Sequence, residues 1–213
     1  MYPSPHPTSS DRRHRARGFT LIEILLVIAV IAILASITFG VSQGIQGAQN
    51  RARAKSELAV LAQSIEQFKL RLGDFPWTRG SEVPEQVLLQ ALLGWKEFER
   101  TGGTTTMEDL DRVPDAGPKG FIDTAQFLVS SADDPSKELS ADNTTQPKGL
   151  VFIDPWGNPY VYEYKDTDRW ENFGYVLYST GPDGLHIPVD DSGVVTQDNR
   201  LLDENLDNIY PGE

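Results

Sequence analysis

An uncharged apolar run from Ile24 to Val41 limits what this chain can become. Only Ser36, Thr38 and Gly40 interrupt its aliphatic and aromatic composition. Its length reaches the roughly 18 to 20 residues with which a helix crosses a bilayer. One carboxylate, Glu23, stands at its mouth, and Arg12, Arg13, Arg15 and Arg17 crowd ahead of it. A charge at the edge of an apolar segment is costly in lipid and usually has a functional reason, the simpler reading being a lone carboxylate snorkelling to the interface. The arginines predict that the N-terminus stays cytoplasmic, by the positive-inside bias.

The order of segments is not that of an ordinary secretory signal, which places a small-residue cleavage site after a short apolar core. Here Gly18 comes before the apolar run, so cleavage there leaves that run on the mature chain, beginning at Phe19. Residues 1–18 form a leader whose first ten positions, rich in Pro, Ser and His, have a disordered composition. A plain single-span anchor is the simpler reading of this arrangement.

The helix need not end with the apolar run. No proline occurs from Ser42 to Leu72, and Leu58, Leu61, Ile65, Phe68 and Leu72 recur at spacings of three and four. That pattern is one face of an amphipathic helix. Charges such as Arg51, Arg53, Lys55, Glu57, Glu66, Lys69 and Arg71 fall off this stripe. Gly73 offers a C-cap before Asp74-Phe75-Pro76. A helix over 20–72 would be about 80 Å long. Gly40, Gly44 and Gly47 each weaken it by up to about 1 kcal/mol relative to Ala, which predicts a soft or locally melted stretch.

Charge and composition exclude several function classes. The chain carries a net charge of −12, and its leader carries +3, so residues 19–213 stand at −15. Nucleic-acid binding requires a basic footprint that is missing here. An acidic surface suits cation binding or simple solubility. There is no cysteine, hence neither a disulfide framework nor thiolate chemistry. No nucleophile elbow, phosphate loop or HExxH pattern occurs, and His186 is an isolated histidine of the kind most often found at a surface. The chain does not read as an enzyme.

Beyond Gly73, the spacing predicts a short helix over Pro84 to Trp95, loop composition at Gly102-Gly103-Thr104-Thr105-Thr106, and a second short helix over Phe121 to Val129. Asp133 to Gly149 is polar and expected to be exposed. The region 74–153 thus reads as a variable helical and loop segment. Asp154-Pro155-Trp156-Gly157-Asn158-Pro159-Tyr160 dictates a compact turn. Tyr160 to Tyr164 then alternates as a strand, with Phe173 to Tyr178 as its antiparallel neighbour. The expected fold class is α+β: a long N-terminal helix, apolar over 19–41 and amphipathic over 42–73, docked by its second half on a small antiparallel head over 154–213.

The string Gly18-Phe19-Thr20-Leu21-Ile22-Glu23, joined to the aliphatic run, resembles the type IV pilin-like family, which includes the pseudopilins of type II secretion. The resemblance implies removal of the leader after Gly18 by a prepilin peptidase and N-methylation of Phe19. It also implies pairing of Glu23 with the N-terminal amine of a neighbouring subunit. A buried ion pair of that kind serves register more than stability. Many relatives carry a proline where this chain has Gly40. The turn from Asp154 to Tyr160 is similar to that of type II secretion pseudopilins rather than ordinary type IV pilins. The resemblance therefore implies an inner-membrane, single-pass subunit with a periplasmic head, forming a homo-oligomeric helical filament with minor pseudopilins and an inner-membrane secretion platform as partners. A type IV pilin or minor pilin, and a membrane-anchored binding module that never polymerises, are the alternatives.

Ser179-Thr180-Gly181-Pro182-Asp183-Gly184 resembles the segment that opens the family's calcium loop, and Asp203 to Ile209 resembles its closing acidic segment. The resemblance implies Asp183 and Asp207 as ligands, then Asn208 and Asp203, with Thr180 offering its carbonyl. Calcium takes six to eight hard oxygens, which two Asp- and Asn-rich segments can supply. Leu185 to Arg200 is longer than usual for the family and poor in glycine, and EF-hand spacing is absent. A polar loop closed by Asx turns, without a metal, is the simpler reading.

Overall fold

The first helix, α1, runs without a break from Leu21 to Leu72. The computed structural model describes residues 19–78, 82–110, 120–135, 137–139, 141, 146–165 and 169–212, with the backbone alone over 37–45. The leader, including the cleavage residue Gly18, lies outside them. The expected soft stretch is not observed, because α1 remains helical through Gly40, Gly44 and Gly47. Three propensity penalties of about 1 kcal/mol do not outweigh helix propagation from both sides. Gly73 takes the expected C-cap, with φ +103° and its N–H donating to Lys69 O at 2.7 Å.

Contacts divide the chain into two compact units, Met1–Ile45 and Gln46–Glu213. In the first, the apolar side chains described from Phe19 to Leu34 are exposed around the whole helix. Among the described residues no helix is long and apolar enough to cross a membrane. The described side chains of the apolar run stop at Ser36, short of the about 18 residues a span requires, so part of the expected 19–41 segment lies outside them.

In the second unit Leu58, Leu61, Ile65 and Phe68 of the amphipathic stripe are buried as the spacing predicts, and Leu72 is half-buried. Ala54, Leu58, Leu61, Ile65 and Phe68 form one core with Phe75, Leu88, Leu92, Phe152, Tyr160, Tyr162 and Leu177. Glu57 departs from expectation. It is 5% exposed and sits within this packing rather than on the charged face. The next helix, α2 (Pro84–Leu92), opens on Pro84 and buries Val87 to Leu92.

The described residues of the middle region hold more strand than their composition suggests. Gly102-Gly103 is the tip of a hairpin between β1 (Lys96–Thr101) and β2 (Thr104–Asp109), and Thr101 faces Thr104. Both glycines have positive φ, +63° and +88°, as a two-residue hairpin turn matching strand twist demands. The threonines expected in a loop are therefore strand residues. No helix forms over Phe121 to Val129: a single 3-10 turn, Thr124–Gln126, leads into β3 (Leu128–Ser131). β3 pairs antiparallel with β4 (Glu138–Leu139) and β5 (Leu150–Ile153), in the order β4-β3-β5. Val129 and Phe152 reach the core from this sheet.

The expected C-terminal hairpin is present but shorter: β6 (Val161–Glu163) pairs antiparallel with β7 (Val176–Tyr178). Phe173, expected in the second strand, is 99% exposed and outside it. After β7 come a one-turn helix, α3 (Gln197–Arg200), and a 3-10 turn, Asp203–Asn205. The α+β architecture agrees with the sequence.

Candidate functional site

Two places carry the expected functional residues: the start of α1, and the loops that follow the two C-terminal strands.

At the start of α1, Phe19 is exposed and precedes the helix. Glu23 lies in the first turn. Its N–H donates to Thr20 Oγ1 at 3.3 Å, and its Oε2 accepts the Thr20 N–H at 3.4 Å. This is a reciprocal capping box, which satisfies donors that a helix start leaves unpaired. The Thr-x-x-Glu spacing is its signal in the sequence, and it gives Glu23 a local role beside the assembly role expected of it.

The turn after β5 is organised by Asp154, which is 0% exposed. Its Oδ1 accepts the N–H groups of Trp156 at 3.0 Å and Asn158 at 2.9 Å. Its Oδ2 accepts the Ser179 hydroxyl at 2.6 Å. Burial pushes the Asp154 carboxyl above the usual range, against the hydrogen bonds from Ser179 and the backbone that favour its charged form. Asn158 Nδ2 donates to Gly181 O at 2.8 Å. The turn expected from Asp-Pro and Gly-Asn-Pro thus also reaches the loop that follows β7.

Ser179 and Ile209 exchange both backbone hydrogen bonds, at 3.0 and 2.9 Å. The antiparallel register this sets brings Gly181 against Asp207, where a Cβ on Gly181 would stand 2.6 Å from Asp207 O and 2.7 Å from Oδ2. Asp207 Oδ2 also accepts the Asp183 N–H at 3.4 Å. Of the expected ligands, the structure brings together Thr180, Asp183, Asp207 and Asn208. Three buried oxygens in these segments have no hydrogen-bond partner among the described residues: Thr180 Oγ1, Asp207 Oδ1 and Asn208 Oδ1. Asp203 is exposed at the start of its 3-10 turn, and no hydrogen bond found among the described residues ties it to this group. The buried member of that turn is Asn205, whose side chain bonds Ile187 N at 2.8 Å, Asn199 O at 2.8 Å and Asn208 Nδ2 at 3.2 Å. Nothing in its local sequence sets it apart from Asp203. Among the described residues, no group of three or more His, Cys, Asp or Glu is arranged to hold a metal.

His186 is not a free surface side chain. Its Nδ1 lies 2.7 Å from the Tyr178 hydroxyl, and partial burial lowers its pKa.

Comparison with known proteins bears on the helix start and on the chain as a whole. The prokaryotic N-terminal methylation motif family matches residues 13–39, which span Gly18, Phe19 and Glu23. A type II secretion system core protein G from Klebsiella pneumoniae is 34% identical over 181 residues, covering 84% of this chain and 94% of its own. The protein of the same description from Escherichia coli (strain K12) is 25% identical over 170 residues, 80% of this chain and 84% of its own. That of Klebsiella michiganensis is 34% identical over 67 residues, 32% of this chain and 47% of its own. No solved structure matches. The methylation motif at the helix start and the similarity running through nearly the whole length of the Klebsiella pneumoniae relative show that the chain belongs to the type II secretion system core protein G family.

Proposed function

We propose that this chain is a structural, non-enzymatic pseudopilin that is trimmed after Gly18, methylated on Phe19 and assembled into the periplasmic filament of type II secretion. The observation that carries the reading is the helix start. Phe19 is exposed ahead of α1, the apolar side chains from Leu21 to Leu34 are exposed around its whole circumference, and such a surface must be covered by lipid or by other subunits. In the inner membrane the run anchors a periplasmic head, and in the filament it packs on copies of itself. Prepilin peptidase, minor pseudopilins and the inner-membrane secretion platform are the partners of such a subunit. Intact-mass analysis of the membrane protein tests the reading. It should find methyl-Phe19 as the first residue, and an uncleaved leader in cells with an active prepilin peptidase would refute it.

The same reading gives the head a structural calcium ion between the loop at 180–183 and the segment at 207–208. What supports it is three buried oxygens, of Thr180, Asp207 and Asn208, without a hydrogen-bond partner among the described residues, and Asp183, whose N–H reaches Asp207 Oδ2 and whose Oδ1 accepts the Leu185 N–H at 2.9 Å. Calcium takes carboxylate, amide and carbonyl oxygens together, so two aspartates with neutral donors fit it better than they would fit a softer metal. Asp183, Asp207 and Asn208 would hold it, with the Thr180 carbonyl, and Asp203 as a remoter candidate. A bound ion would supply charge neutralisation between the two segments, with no chemistry. Chelation should lower the melting temperature of the purified protein in detergent, and an unchanged melt would remove the ion from the proposal.

A further inference from the structure

All four polar atoms of Asp154 are committed to neighbours, and two of those commitments converge on one glycine. Asp154 N donates to Asn158 O at 2.8 Å, and Asp154 O accepts from Gly157 N at 2.9 Å. From Oδ2 the chain of bonds runs through the Ser179 hydroxyl, which accepts the Gly181 N–H at 3.1 Å. From Oδ1 it runs through the backbone N–H of Asn158, whose side chain then donates to Gly181 O at 2.8 Å. The amide and the carbonyl of Gly181 are therefore both held, and both holds lead back to one buried carboxylate.

Gly181 is also the residue against which Asp207 packs, with φ +70° and no room for a Cβ. Gly184 closes on the same turn, since a Cβ there would stand 2.8 Å from Asn158 Oδ1. In a trans peptide the C=O points opposite the N–H, so fixing the Gly181 N–H on Ser179 also aims the Thr180 carbonyl.

We infer that Asp154 is the positioning residue of the calcium loop, acting through Ser179 and Asn158 to set the backbone from Thr180 to Asp183 before an ion arrives. The inference rests on the calcium reading above. Asp154 is assigned positioning rather than ligation because it is fully buried and its three side-chain hydrogen bonds all go to groups of the turn and of Ser179. The turn from Asp154 to Asn158 and the acidic loop are then one device, with the turn supplying preorganisation and the loop supplying oxygens. Partners one bond removed from a metal ligand typically change metal affinity by about 10- to 100-fold when lost.

The test is a calorimetric calcium titration of the full-length protein in detergent micelles, paired with melting in chelator. Ser179→Ala and Asn158→Ala each cut one arm of the brace and avoid replacing the buried carboxylate. Each should raise the calcium Kd about tenfold or more. Asp74→Asn, which disturbs a hydrogen-bond cluster with Tyr164 and Lys165, serves as the control and should lower the melting temperature without moving the Kd. If both brace variants melt lower yet bind calcium as the parent does, the role is merely structural and the inference falls alone. If the parent takes up no calcium, the calcium reading falls and this inference with it.

Discussion

The Tyr160 hydroxyl donates a 2.6 Å hydrogen bond to Glu57 Oε2, joining the end of the Asp154 turn to the long helix across 103 residues of sequence. The other oxygen of Glu57 accepts Arg53 Nε at 2.6 Å from the preceding helical turn. Burial raises the Tyr160 pKa, and the adjacent Glu57 charge raises it further, so the phenol stays a donor throughout the physiological range. A carboxylate this deep is stable only because both oxygens are bonded.

Removing the phenol should therefore cost the head more than a surface hydrogen bond would. Tyr160→Phe leaves a buried acceptor half-satisfied and should destabilise by about 1–3 kcal/mol in chemical denaturation. Adding Glu57→Leu should restore part of that loss, giving a coupling of about 0.5–3 kcal/mol in a double-mutant cycle. Strictly additive losses would show that the two residues do not act together.

At the other end of the helix, two roles of Glu23 can be separated. Gln serves the capping box as well as Glu does, but carries no charge. Glu23→Gln should keep the helix start ordered yet abolish filament assembly, as Glu23→Ala should. Filaments of normal length from Glu23→Gln, seen by electron microscopy, would assign the residue to capping alone.

Gly181 and Gly149 share φ +70°, but among the described residues an added methyl group would meet a neighbour within 4 Å at Gly181 and none at Gly149. Gly149→Ala should thus cost backbone strain alone, about 1–2 kcal/mol. Gly181→Ala adds the collision with Asp207 and should cost at least about 1 kcal/mol more. Melting curves of the two variants, compared at one pH, measure the difference.

Acid should weaken the junction after α1. Burial raises the Asp74 pKa, but hydrogen bonds from Lys165 and Tyr164 outweigh it and hold the carboxyl below its ordinary 3.8. A depressed folded-state pKa contributes stability that is present above the unfolded value and is lost as pH falls through the folded one. The parent should lose melting temperature more steeply than Asp74→Asn below about pH 4. Parallel acid profiles would dismiss Asp74 as a source of that dependence.

Whatever depends on neighbours along the chain could be read from the residues alone. The three-and-four spacing from Leu58 to Leu72 and the C-cap at Gly73 settled where α1 ends. The string from Gly18 to Glu23 carried the family, and the Asp154 turn and the alternation from Tyr160 to Tyr164 carried the head. Some local signals were present but lost to composition. Gly102-Gly103 is a hairpin turn whose flanking threonines read as loop, and Thr20-x-x-Glu23 is a capping box overshadowed by the charge of Glu23.

The rest awaited the folded chain, because burial of a polar group depends on partners far away in sequence. Glu57 looks like any charge off an apolar stripe until Tyr160 covers it. Asp203 and Asn205 are equally plausible ligands or turn residues until the Ser179–Ile209 pairing sets which oxygens face Gly181. Asp154 reads as a turn former, and its link to the loop after β7 appears only when that strand delivers Ser179 to its second oxygen. Local periodicity fixes helices and turns through short-range sterics and hydrogen bonding, whereas a site assembled from three loops exists only once the core beneath them is packed.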